Sequence, residues 1–107
     1  MNDKFLNLIP YHNVAFLEDN ERIVLLEPKF KNKILLKIFP KLKDMHFHIK
    51  LDSIASFVWK SINSENNVKK IIEIVKSNFA DESQIEERTV EFLGQLHHYK
   101  FILFKED

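Results

Sequence analysis

Five histidines, His12, His46, His48, His97 and His98, are the side chains in this sequence whose type first suggests chemistry. Imidazole titrates near neutral pH and is the commonest metal ligand, so metal binding is the first possibility to weigh. A zinc site needs three or four ligands converging at roughly 2.0–2.1 Å. His46 and His48 would share one face of a strand, whereas His97 and His98 fall in a helical stretch. Neighbouring helical residues point about 100° apart, so those two cannot easily chelate one ion. A helix C-terminus favours histidine through its dipole alone. Cysteine is absent, which removes thiolate metal sites, disulfides and cysteine nucleophiles together. Structural or solvated histidines are therefore expected, with no metal and no cofactor.

Catalytic constellations fare no better. Ser53, Ser56, Ser61 and Ser77 lie in helical frames, without the strained turn that exposes a nucleophilic serine. Asp81, Glu82, Glu86, Glu87 and Glu91 crowd the start of the last helical stretch, where they complement the positive end of its dipole. A single glycine, Gly94, excludes a phosphate-binding loop or a dinucleotide fingerprint. Sixteen basic residues balance sixteen acidic ones, so net charge gives no reason to expect nucleic acid as a partner. No catalytic residue is expected.

The 107 residues are one domain's worth, with enough apolar content (45%) for a core. The longest apolar runs are four residues, which is too short to span a bilayer, and no cleavable targeting signal is visible. A cytoplasmic location is the default, with no membrane partner expected. Val14, Phe16 and Glu18 alternate as a strand, Asp19-Asn20-Glu21 supplies turn chemistry, and Ile23 to Leu26 resumes as a second strand ended by Pro28. A third strand runs from His46 to Leu51, with Met45, Phe47, Ile49 and Leu51 on one face of this segment and His46, His48 and Lys50 on the other. A first helix, capped by Asp52 or Ser53, carries Ile54, Ala55, Phe57, Val58 and Ile62, with Trp59 at the edge of its stripe. A second repeats Val68, Ile71, Ile72, Val75 and Phe79.

Ser83-Gln84-Ile85-Glu86 reads as a capping box opening a third helix, which buries Ile85, Thr89, Phe92, Leu93, Leu96 and the Lys100 stem. Phe101 to Phe104 is a short apolar tail or strand. The plan is α+β: a small three-stranded antiparallel sheet followed by three helices. Phe16, Leu25, Phe47, Ile49, Val58, Ile72, Phe92 and Leu96 are expected in one core. Six lysines from Lys29 to Lys43, with apolar residues every fourth position, form an insertion at about 28–44. A solvated insertion is the expected reading, ahead of a surface for a partner or an anionic membrane.

The stretch Leu51-Asp52-Ser53-Ile54-Ala55-Ser56-Phe57-Val58-Trp59 resembles the PqqD family, in which a strand-ending Leu-Asn/Asp leads into a helix with a small residue and an Ile/Val-Trp pair. The likeness continues through Val68-Lys69-Lys70-Ile71-Ile72 and Phe92-Leu93-Gly94-Gln95-Leu96 to Lys100-Phe101-Ile102, covering His46 to Phe104. The chain departs from the pattern in its first interhelical turn, Asn63 to Val68, which lacks the family's glycine and threonine. It departs again at Arg88-Thr89, where the family has an acidic residue and valine, and in the length of Pro28 to Asp44.

The resemblance implies a winged-helix-like domain, not an enzyme, that binds the leader of a ribosomally made precursor peptide. The domain presents that leader to a modifying enzyme, often a radical SAM enzyme. The leader would add as a strand along His46, Phe47, His48, Ile49, Lys50 and Leu51 and lie against one flank of the third helix. An edge strand supplies affinity through its backbone, and pockets on one face supply specificity. Of the two flanks, Arg88, Gln95 and Tyr99 are expected to face the peptide in preference to Val90, Gly94 and His97. Arg88 can pair a carboxylate and Tyr99 can cover an apolar anchor. A generic protein-interaction domain is the alternative. A winged-helix DNA-binding regulator ranks lower still, because Glu86, Glu87 and Glu91 would face the phosphates.

Overall fold

The computed structural model describes residues 3–28 and 46–106. The expected insertion at about 28–44 lies outside them apart from Pro28. Their order is α1 (Asp3–Leu6), β1 (Ile9–His12), β2 (Ala15–Asp19), β3 (Arg22–Pro28), β4 (His46–Lys50), α2 (Ser53–Ser61), α3 (Val68–Asn78), α4 (Ile85–His98) and β5 (Ile102–Lys105). β2, β3 and β4 form an antiparallel sheet in that order, the expected three strands. The fold is α+β. Beyond the expected plan, β1 and β5 join the two ends of the chain as a second, antiparallel pair. Pro10 argues against reading Ile9–His12 as a strand. It is accommodated there because β1 has a partner on one side only among the described residues, so one edge needs no donor.

Local chemistry sets most boundaries. Asp19 pairs with Arg22 across a two-residue turn in which Asn20 and Glu21 both have positive φ (51° and 68°). That is the geometry matching the twist of a tight hairpin. The Asp52 carboxylate caps α2 by accepting the Ala55 N–H at 2.8 Å, and the Asn67 side chain caps α3 by accepting the Lys70 N–H at 2.8 Å. Between these helices the Asn63 side chain accepts the N–H groups of Glu65 and Asn66, both at 2.9 Å, while Ser64 takes φ 67°. Serine thus takes the left-handed backbone that glycine adopts freely. The capping box at Ser83 to Glu86 does not form. Gln84 is the N-cap, in left-handed conformation and without a side-chain cap, and Glu86 instead pairs with Lys76 at 3.4 Å.

The core gathers Ile23 and Leu25 of β3, Leu51, Val58, Trp59 and Ile62 from α2 and its flanks, and Val68, Ile71, Ile72 and Val75 of α3. Ile85, Leu93 and Leu96 of α4 complete it with Phe101 and Ile102. Of the expected core, Leu25, Val58, Ile72 and Leu96 are buried, and Ile49 and Phe92 are partly buried against them, while the Phe47 side chain lies outside those described. Phe16 is not core: it is 43% exposed, because β2 is an outer strand whose five residues are all exposed. Trp59, expected at the margin of its helix, is fully buried. The second sheet explains this, since β1 brings His12 flat against the indole, with centroids 4.0 Å apart and planes 5° apart. The indole Nε1–H finds no partner among the described residues, a cost that burial of the ring system offsets. Lys100 is exposed, its expected buried stem displaced by a left-handed turn at φ 62°.

One hydroxyl joins the sheet to the helices. Ser56, buried on α2, accepts the Ile23 N–H at 3.0 Å and donates to the Leu51 carbonyl at 3.3 Å. Where β3 and β4 part, the hydroxyl stands in for a direct ladder bond. Removing it leaves a buried N–H unpaired, which costs about 1–3 kcal/mol. Ser56→Ala should lower the unfolding free energy by that amount in urea titration, with the slope unchanged. A loss below about 0.5 kcal/mol would mean that water replaces the hydroxyl.

His12 generates a pH dependence. Burial lowers its pKa from the ordinary 6.5, outweighing the opposing effect of its Nε2 bond to the Trp59 carbonyl at 2.9 Å. The folded chain thus favours the neutral ring, while the unfolded chain takes up a proton as pH falls through 6.5. The contribution is intact above that value and is lost as pH drops toward the folded pKa. Between about pH 7.5 and 5.5, Tm should fall more steeply in wild type than in His12→Gln. Equal slopes would assign the pH dependence to other groups.

Candidate functional site

Among the described residues β4 is an edge strand, and its phase is fixed at one end. The Leu51 N–H donates to the Ile23 carbonyl at 2.9 Å, so the backbone of Leu51 faces β3. Antiparallel ladders alternate: every second residue turns its N–H and C=O to one neighbour and the residues between turn theirs away. The registers Leu25 with Ile49 and Glu27 with Phe47 continue the inward set. The N–H and C=O groups of His46, His48 and Lys50 therefore point to the opposite edge. Among the described residues no strand occupies that edge. Side chains alternate on the same period: Ile49 is partly buried toward the helices, whereas His48 and Lys50 are exposed.

Beside the edge lies an apolar cavity of about 300 Å³, walled by Leu25, Ile49 and Leu51 from the sheet and by Phe92, Gln95, Leu96, Tyr99 and Phe101 from α4 and its end. The turn that ends α4 builds part of this wall. Lys100 N–H returns to the His97 carbonyl at 3.0 Å and Phe101 N–H to the Leu96 carbonyl at 2.8 Å, with Lys100 in the left-handed conformation. This is a Schellman closure, which sets the residue after the turn against the one before it. It turns Phe101 inward beneath Tyr99, with ring centroids 5.9 Å apart. Tyr99 itself remains 60% exposed at the rim.

A smaller cavity of about 150 Å³ adjoins the first through Phe92, lined also by Asp52, Ile54, Ala55, Val58, Arg88 and Thr89. Of the residues singled out in the sequence, five line these two cavities. Gln95 and Tyr99 wall the larger cavity with Ile49 and Leu51, and Arg88 walls the smaller one. Arg88 is already paired with Glu82 at 3.4 Å, and both side chains are about half exposed. The other flank of α4 is engaged elsewhere, with His97 packed against Phe104 of β5 at 4.8 Å and Val90 packed on the core. Leu25, Phe92, Leu96 and Phe101 are wall residues that the sequence marked only as apolar. No spacing rule carries β3 and the chain after α4 to the same cavity.

Three histidines pack on aromatic partners: His12 with Trp59 and Phe16, His97 with Phe104, and His98 with Tyr99. Among the described residues no three histidine or carboxylate side chains are grouped to hold a metal ion. No helix among them is long and apolar enough to cross a membrane.

The family model for coenzyme PQQ synthesis protein D (PqqD) matches residues 43–102. Comparison with curated proteins and with solved structures finds no match. The matched span exceeds half of the 107 residues. It holds the β4 edge, α2, α3 and the α4 wall of the groove, and leaves the β2–β3 hairpin outside. The chain belongs to the PqqD family.

Proposed function

We propose that this protein is a non-catalytic adaptor. It captures the leader of a ribosomally made precursor peptide at the β4 edge and presents it to a modifying enzyme, for which a radical SAM enzyme is the leading candidate. The observation that carries the reading is the coincidence of two features. One is the row of outward backbone groups at His46, His48 and Lys50, and the other is the apolar cavity between Ile49, Leu51 and the α4 wall. A peptide strand at that edge would gain main-chain hydrogen bonds from the first and a seat for its side chains from the second. Membership of a family named for coenzyme PQQ synthesis supports a place in the making of a modified peptide product.

Gln95 and Tyr99 are the proposed peptide-facing residues of α4, with Arg88 at the far end of the groove. Because Arg88 is exposed and already paired, its contribution is small, about 0.2–1 kcal/mol. Gly94 lies on the other flank, and a Cβ there would meet nothing within 4 Å.

The phase of β4 makes the test sharp. His48→Pro removes an N–H that points away from β3, so the ladder within the protein survives while the bond to the peptide is lost. Calorimetric titration with the leader of a precursor encoded beside this gene should show affinity reduced about tenfold or more, a loss of about 1.4 kcal/mol. Thermal unfolding should remain cooperative. Gly94→Ala serves as the control: it should leave affinity unchanged and raise stability by about 0.5–1 kcal/mol, since a helix interior favours alanine. Unchanged affinity in a folded His48→Pro protein would rule out strand addition at β4.

A further inference from the structure

The face of the sheet turned away from the helices carries a cation, Lys50, with no ion-pair partner among the described residues. Lys50 stands opposite Val24 on β3, which stands opposite Leu17 on β2, so the row across the sheet is Lys50, Val24, Leu17. Leu17 is 44% exposed, Val24 is buried and Lys50 is exposed. No ion pair joins Lys50 to a described residue. Asp52, the nearest acid along the chain, is committed to the Ala55 N–H as the cap of α2. Lys50 is also one of the residues whose N–H and C=O face the open edge. A strand added there would place one of its own residues directly opposite, with the two side chains neighbours on the solvent face.

We infer that the segment recognised at this edge is an acidic residue flanked by two apolar ones, the acid opposite Lys50 and the apolar pair opposite Ile49 and Leu51. This rests on the strand-addition reading and specifies the peptide class that it accepts. Alternation supplies the pattern. If the residue opposite Lys50 lies on the solvent face, both its neighbours point to the other face, where Ile49 and Leu51 line the cavity with Phe92, Leu96 and Tyr99. The wall is apolar apart from Gln95 and the Tyr99 hydroxyl, so a polar side chain seated against Leu25, Ile49, Leu51 and Leu96 would be buried at a cost. The cavity, at about 300 Å³, has room for side chains of a bound peptide. Charge chooses the middle residue: a carboxylate opposite Lys50 is attracted, and a lysine or arginine there is repelled. The apolar–acid–apolar order reads the same in either chain direction.

Selection from a random twelve-residue peptide display library against the full chain tests this, using wild type, Lys50→Glu and His48→Pro. Wild type should enrich peptides with aspartate or glutamate between two apolar residues. Replacing that acid by lysine in a synthetic copy of an enriched peptide should weaken binding roughly two- to tenfold. Lys50→Glu, an exposed change, should keep the apolar pair and switch the middle residue to lysine or arginine. Enriched peptides with the apolar alternation but no charge preference, or no switch in Lys50→Glu, would overturn the inference and leave strand addition standing. Absence of enrichment by wild type, or enrichment that survives His48→Pro with the fold intact, would overturn strand addition and this inference with it.

Discussion

The Ser56 hydroxyl is the contact on which the arrangement of sheet and helices depends. It takes the Ile23 N–H and gives its own hydrogen to the Leu51 carbonyl, so one oxygen closes the ladder between β3 and β4 from the first turn of α2. A direct N–H to C=O bond would hold the two strands equally well, but it would leave α2 attached by apolar contact alone. Apolar contact is non-directional and tolerates sliding, whereas a hydroxyl bonded on both sides does not. The bond also sits at the point where the phase of β4 is read. With Leu51 turned toward β3, the backbone groups of His48 and Lys50 are committed to the open edge.

From that anchor the groove follows by short steps. Asp52, next after Leu51, caps α2 and starts the helix without a connecting loop, which keeps Val58 and Trp59 within packing reach of β3. The Schellman turn at Lys100 reverses the chain after α4 and delivers Phe101 to the cavity wall. It then feeds β5 into its pairing with β1, and β1 lays His12 on Trp59. The second sheet is thus the element that converts a half-covered tryptophan into the center of the core.

Positive φ values mark the turns of this scaffold. Asn20, Glu21, Ser64, Gln84 and Lys100 all adopt left-handed geometry that a glycine would take freely. Each costs about 1 kcal/mol relative to glycine. The single glycine, Gly94, sits instead in the interior of α4, where its freedom serves no turn. The turns are held by their surroundings: the β2–β3 register fixes Asn20 and Glu21, the Asn63 side chain fixes Ser64, and two backbone bonds fix the turn at Lys100.

The sequence by itself determined the elements whose signals are local. Period-two alternation marks β4, period-3.6 apolar repeats mark α2, α3 and α4, and Asp52 announces the start of α2. It also carried the family likeness, because that rests on residues close together in the chain. It misjudged features that local pattern cannot encode. Ser83 and Glu86 have the spacing of a capping box, yet Glu86 turns to Lys76, a partner ten residues away that only the packing of α3 on α4 supplies. Phe16 has the alternation of a core residue, but nothing in β2 says that it is an outer strand. Trp59 looked marginal because its cover, His12, is 47 residues distant. The cavity was decided by tertiary structure alone, since Leu25, Ile49, Leu96 and Phe101 are brought together by strand pairing, helix packing and a left-handed turn. Periodicity tells which face of an element is apolar, whereas what that face meets depends on contacts distant in sequence.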